Sequence, residues 1–192
     1  DNSSNGFDAD ATQAAIEEAS TGKFLTNCHR SIYVCKNGND TTGNGSPHNP
    51  YLTICQALSS ITDNSSINRY IIEVGPGEFV EDTITMKSYV SIKGTDTQST
   101  AIKVDTPTKT VIAGSVNCSI YNLTISDASG SGGIGVFCQN GTGLSGEPFM
   151  VFNCIFLNNE THLEVDGAEG TIGLQANFCR LDPSFTNGIV CT

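Results

Sequence analysis

Three sets of residues in this chain have the types and spacing to do chemistry. The first is the run His162-Leu-Glu-Val-Asp166, in which His162, Glu164 and Asp166 alternate with Leu163 and Val165. A strand with that spacing turns the three polar groups to one face and the two apolar ones to the other. Such a face could hold a cation or serve as an acid/base pair on a glycan, with Asp127 and Arg180 as candidate neighbours. A solvated strand face is the simpler reading. The second set is eight Asn-x-Ser/Thr sequons, at Asn2, Asn39, Asn44, Asn64, Asn117, Asn122, Asn140 and Asn159. Composition alone would give about four, so the excess suggests a glycosylated exterior. At Asn122-Leu-Thr124 a strand would turn the acceptor and its hydroxyl partner outward together.

The third set is eight cysteines: Cys28, Cys35, Cys55, Cys118, Cys138, Cys154, Cys179 and Cys191. They are even in number and lack metal-site spacing, so at least two disulfides and an oxidising compartment are expected. The competing reading takes Cys118, Cys138 and Cys154 as small core hydrophobes. Neither a phosphate-cradling loop nor a serine nucleophile elbow occurs, and the three histidines are scattered. No metal and no cofactor are therefore expected. The Gly/Asn-rich stretch 36–49 contains a single carboxylate, Asp40, too few for a calcium loop.

Charged residues make up 15% of the 192, so the polar surface must be built from Asn, Ser, Thr and Gly. The formal charge of −11 argues against nucleic acid and disfavours a polyanionic substrate. No apolar run approaches the roughly 18 residues that span a bilayer. Asp1 stands where a Met would start a chain, which fits removal of a signal peptide or a trimmed fragment.

The elements that must position these residues are short strands. Arg69–Val74 is apolar and β-branched, and Gly75-Pro-Gly77 breaks it with the positive φ of a turn at Gly77. Short runs at Thr83–Met86, Tyr89–Lys93 and Ala101–Val104 follow, with no room for crossover helices. One apolar ladder runs Ile72, Ile92, Ile112, Ile134, Phe152, Ile172, Ile189, and a second runs Ile84, Ile102, Leu123, Leu144, Leu163, Leu181. Both advance by about twenty residues per step, the mark of a β-solenoid. Upstream, Asp10–Gln13 reads as a capping box opening a helix through Ala19, within an extension over 1–27 that offers a subunit contact. The solenoid domain occupies 28–192, with a capping helix near 49–61 that starts at Asn49-Pro50.

The run YIIEVGPGEFVEDTITMKSYVSIKG, continuing to TAIKV, resembles the opening coils of right-handed parallel β-helices of the pectin-lyase-like superfamily. SIYVCKNGNDTTGNGSPHNPYLTICQAL is similar to the strand, loop and capping helix that precede those coils. FNCIFLNN resembles the Phe-x-x-Asn repeats of outer-membrane β-helix adhesins. The resemblance implies an all-β, right-handed parallel β-helix, here of about six to seven coils with short N-terminal helices. It leaves function open, because the superfamily hosts lyases, hydrolases, esterases, adhesins and viral fibres. The opening coils are similar to those of pectin methylesterases, but the paired-aspartate and Arg-Trp segments of that family have no counterpart, and Trp is absent.

The resulting expectation is a secreted, extracellular or virion-surface structural glycoprotein, a fibre, coat or attachment component rather than an enzyme. Its partners would be copies of itself, joined head to tail or otherwise, and cell-surface glycans. The alternative is a carbohydrate-active enzyme or glycan-binding module that uses the lateral groove of the helix.

Overall fold

The computed structural model describes residues 30–140, 147–167, 173–183 and 186–191, with the backbone alone at 139, 140, 167 and 191. The capping-box helix and Cys28 lie outside the described residues. The described chain contains one short helix and sixteen strands, all paired in parallel. β1 (Arg30–Val34) is followed by α1 (Ile54–Ser60), β2 (Tyr70–Val74), β3 (Gly77–Glu81) and β4 (Ile84–Thr85). Then come β5 (Val90–Gly94), β6 (Thr100–Val104), β7 (Thr110–Gly114), β8 (Ser119–Tyr121), β9 (Thr124–Ser126) and β10 (Ile134–Asn140). The last six are β11 (Phe149–Phe152), β12 (Ile155–Leu157), β13 (Thr161–Gly167), β14 (Leu174–Asn177), β15 (Arg180–Leu181) and β16 (Asn187–Cys191).

These strands form three parallel sheets. The first runs β1-β2-β5-β8-β11-β14, the second β3-β6-β9-β12-β15 and the third β4-β7-β10-β13-β16. The chain visits them in that order in every coil, which makes a right-handed parallel β-helix. The described residues make five three-stranded coils above β1.

One apolar column runs up the inside of each sheet. Ile32, Ile72, Ile92, Ile120 and Val151 stack in the first, and Phe79, Ile102, Ile125, Phe156 and Leu181 in the second. The third stacks Ile84, Ile112, Val136, Leu163 and Ile189. The twenty-residue ladders hold for one step only. Glu73 and Lys93 in adjacent coils are 20 residues apart, but Ser91 and Ser119 are 28 apart and Asn122 and Asn153 are 31. Loops lengthen the later coils, so Ile112 moves to the third sheet and Phe152 turns outward, 44% exposed. Ile189, although it stacks on Leu163, is 61% exposed, and Leu144 and Ile172 lie outside the described residues.

The corners between sheets explain the asparagines. Where the chain turns from the first sheet to the second, Asn122, Asn153 and Phe178 have φ of 58, 48 and 54°. Asn tolerates this left-handed conformation better than most L residues, and its amide can bond to the coil below. Asn153 Nδ2 donates to Asn122 Oδ1 at 3.0 Å, and at the next corner Asn158 Nδ2 donates to Asp127 Oδ1 at 2.9 Å.

The capping helix is shorter than expected. Thr53, not Asn49, is its N-cap and accepts from Gln56 N, while Asn49 braces the preceding loop by donating to Thr42 O. Ile54, Ala57, Leu58 and Ile61 are buried against the first coil. Glu81, itself buried, reaches up from β3 to accept from Ile54 N at 2.7 Å and Cys55 N at 3.2 Å. Two of the amides left open at the helix start are thus satisfied by a carboxylate from the core, as the helix dipole favours.

Candidate functional site

The outer face of the second sheet forms an open groove of about 710 Å³. Alternation along its strands turns Phe79, Ile102, Ile125 and Phe156 inward. It leaves Glu78, Ala101, Lys103, Thr124, Ser126, Ile155, Leu157 and Arg180 along the groove. One wall is the loop 95–99, which stands out because five residues join the strands there, where two do so in the coils above. Gly94 lets that coil pass close beneath the next, since a Cβ there would lie 2.3 Å from Asn122 O. Asp96 fixes the loop by accepting from Gln98 N, Ser99 N and Ser99 Oγ at 2.6–2.8 Å. The opposite wall is the Asp127–Asn158 pair.

Lys103 organises the charge. Its Nζ lies 2.7 Å from a Glu78 oxygen and 2.8 Å from an Asp127 oxygen, bringing two carboxylates to one point. Bonds to Asp127 and Glu78 raise the Lys103 ammonium above the ordinary lysine value. Partial burial pushes the Asp127 carboxyl up, but the bonds from Lys103 and Asn158 outweigh it and hold it below the usual range. Asp127 is therefore kept ionised, the reverse of what a general acid needs near neutral pH. Arg180, at the upper end, makes no salt bridge among the described residues.

The trio expected in β13 does not share a face. His162 and Leu163 are both buried, because the strand begins in a corner where two successive residues turn inside, as Val111 and Ile112 do in the same sheet two coils below. Asn159 presents Nδ2 to Ile125 O and Oδ1 to Ala128 N, so the same Nδ2 must donate to His162 Nδ1 at 3.3 Å. His162 Nε2 in turn donates to Asp182 O at 3.1 Å, and the ring packs on Phe156. Glu164 is half-buried and Asp166 exposed on the outer side of the third sheet, away from the His162 ring. Asp127 and Arg180 belong to the groove instead. Asp40 is spent on the loop, accepting from Leu52 N, Thr53 N and Thr53 Oγ1.

Of the sequons, Asn39 and Asn44 are exposed. Their Oδ1 atoms close local turns onto Thr41 N, Thr42 N and Ser46 N. Asn64, Asn117 and Asn122 are half-buried, with Asn64 Nδ2 donating to Ser88 O. Asn159 is 1% exposed, and its amide nitrogen is engaged inside a corner, which leaves no room for a glycan. Asn2 and the side chain of Asn140 lie outside the described residues.

No disulfide is seen among the cysteines described: Cys35, Cys55, Cys118, Cys138, Cys154 and Cys179 are free. Cys118, Cys138 and Cys154 fill buried positions as small hydrophobes, and Cys154 and Cys179 donate to carbonyls of the first sheet. Burial pushes the Cys118 and Cys154 thiols up to about 12, and burial with Glu81 nearby does the same to Cys55. Such thiols are inert at neutral pH.

No family model matches the chain. A transmembrane domain-containing protein of Dictyostelium discoideum is 49% identical over 68 residues, which are 34% of this chain and 4% of that protein. Among the described residues no helix is long and apolar enough to cross a membrane. The pectin methylesterase PemA from Erwinia chrysanthemi superposes with a TM-score of 0.53 at 15% identity. A pectin methylesterase in complex with hexasaccharide VII superposes with 0.51, also at 15% identity. Each superposition covers 80% of this chain and 49% of the other, so the chain spans about half the length of these enzymes. The chain thus has the right-handed parallel β-helix fold of the pectin methylesterases.

Proposed function

We propose that this chain is a β-helical module of an extracellular or cell-surface glycoprotein, or of a virion surface, and acts through its surface rather than by catalysis. The observation that carries the reading is how the candidate reactive groups are spent on the fold. His162 and Asn159 stitch a corner, Glu81 caps α1, Asp40 fixes a loop, and Glu78 and Asp127 are both held by Lys103. With the described cysteines unpaired, the case for an exterior location rests on the sequons, of which Asn39 and Asn44 are open to a transferase.

Copies of this chain, joined head to tail or otherwise, and cell-surface glycans are the partners in this reading. The test is to secrete the chain from a eukaryotic host, measure its intact mass, and assay methanol release from methyl-esterified pectin. Glycan increments on the Asn39 and Asn44 peptides with no methanol release are expected. Methanol release above a buffer control would overturn the surface reading, and an unmodified mass would remove the glycoprotein part of it.

A further inference from the structure

We propose that Asn177 is a further attachment site for an N-linked glycan, and that the first sugar of that glycan covers the exposed Phe152–Phe178 pair. The inference rests on the glycoprotein reading above and adds a site outside the eight sequons. Asn177-Phe-Cys179 is the one Asn-x-Cys in the chain. A thiol stands there in place of the sequon hydroxyl, and as a weaker hydrogen-bonding group it supports less complete transfer. The thiol must be unpaired to do so, and Cys179 is free. In the fold Cys179 turns inward, with Sγ donating to Asn177 O at 3.4 Å and to Val151 O at 3.7 Å. Transfer therefore belongs to the nascent chain, before this corner closes. Asn177 Nδ2 bonds to C1 of an N-acetylglucosamine, and the C1–O bond to a lipid-linked diphosphate breaks. The diphosphate leaves with the bonding electrons, and Nδ2 gives up one proton to a base of the transferase.

The folded corner accommodates the product. Asn177 ends β14 directly above Phe152, which faces outward from the first sheet and is 44% exposed. Among the described residues the Asn177 side chain has no hydrogen-bond partner, so Nδ2 can carry a sugar without giving one up. Asn159 and Asn64 differ, because their Nδ2 atoms are engaged by Ile125 O and Ser88 O. The next residue, Phe178, occupies the corner that Asn122 and Asn153 hold in the coils below, with φ 54° and 82% of its surface exposed. A bulky aromatic in the left-handed region is strained, and burial returns little to this one. Its ring meets Phe152 at 5.3 Å and 72°, so one apolar surface flanks Asn177 from the strand below and from the next residue in the chain. A sugar already tethered at Asn177 loses little further freedom on settling there, and its C–H face is the apolar complement of the rings.

The test is glycopeptide mapping of the 192-residue chain, secreted from a eukaryotic host behind an added signal peptide. Whole-cell protein is mapped as well, so that a variant that folds poorly is still scored. A fraction of the Asn177 peptide should carry N-acetylhexosamine. Cys179→Ser should raise that fraction roughly twofold or more, and Cys179→Ala should abolish it while leaving the Asn39 and Asn44 peptides unchanged. In Cys179→Ser, amide exchange over residues 174–181 should be slower than in the same protein with Asn177→Gln, and Phe178→Asn should remove the difference. An unmodified Asn177 peptide in protein glycosylated at Asn39 and Asn44 would overturn the site and leave the glycoprotein reading standing. Unmodified peptides at all three would overturn both. Occupancy that persists in Cys179→Ala, or exchange unaffected by the glycan, would also overturn the proposal.

Discussion

Replacing Asn159 probes the corner that joins the second and third sheets. The side chain is buried and makes three bonds: from Ala128 N at 3.1 Å, to Ile125 O at 3.1 Å and to His162 Nδ1 at 3.3 Å. Ala128 and Ile125 are themselves fully buried, so water cannot replace the lost partner without opening the coil. Asn159→Ala strands one amide and one carbonyl. Each unsatisfied group costs about 1–3 kcal/mol, which for the two gives a loss of roughly 2–6 kcal/mol. For a chain of this size that corresponds to a drop of very roughly 5–15 °C in Tm. Asn159→Asp keeps the acceptor for Ala128 N but sets a carboxylate against Ile125 O, so it should cost at least as much. Thermal and urea unfolding followed by circular dichroism would measure both. A stability within about 0.5 kcal/mol of wild type would refute the corner as described. So would a glycan on Asn159 in protein that melts normally.

Other consequences follow from the columns and the charged turns. Ile92→Asp places a charge between Ile72 and Ile120, and should yield no folded protein; a soluble variant with a cooperative melt would contradict the first-sheet column. Cys118 and Cys154 should resist a maleimide in native buffer and react on unfolding, and rapid native labelling would contradict their burial. Asp63, Asp82 and Asp96 are held below the usual carboxylate range, chiefly by the Tyr70 hydroxyl, Lys109 and the Ser99 hydroxyl respectively. Their folded pKa values lie below the unfolded ones, so their stabilisation is present above the unfolded carboxylate value of about 4 and lost as pH falls through the folded values. Urea midpoints should fall from pH 5 toward pH 3, and Asp96→Asn should lessen the fall; a rising midpoint would contradict these contacts.

The parallel β-helix was legible from short β-branched strands and polar turns, and Ile72 over Ile92 was placed correctly. The register above them was not. A constant step ignores the loop 95–99 and the longer connections above it, which shift Ile112 to another sheet. A better marker lay in the sequence: Tyr121-Asn-Leu-Thr-Ile125, Phe152-Asn-Cys-Ile-Phe156 and Asn177-Phe-Cys-Arg-Leu181 each cross the same corner. Aligning them on the left-handed residue sets Ile125, Phe156 and Leu181 in one column, and from there Lys103 falls near Asp127. The burial of His162 was hidden for a related reason. Period-two alternation holds within a strand but fails where a strand begins in a bend, and only the coil above shows that Asp182 O receives the ring. The cysteine count suggested disulfides because parity carries no information about which thiols face the core.

The strand register brings Glu78, Lys103 and Asp127 to one groove, and a crosslink tests that register directly. Ser91 and Ser119 are paired across β5 and β8 with their hydroxyl oxygens 2.7 Å apart, whereas a twenty-residue step would set Ser91 against Val111. Ser91→Cys/Ser119→Cys should oxidise to a disulfide in the folded protein, located by peptide mapping and leaving the melt intact. Ser91→Cys/Val111→Cys should form none. A crosslink between positions 91 and 111, with none between 91 and 119, would contradict the coil register and the groove built on it.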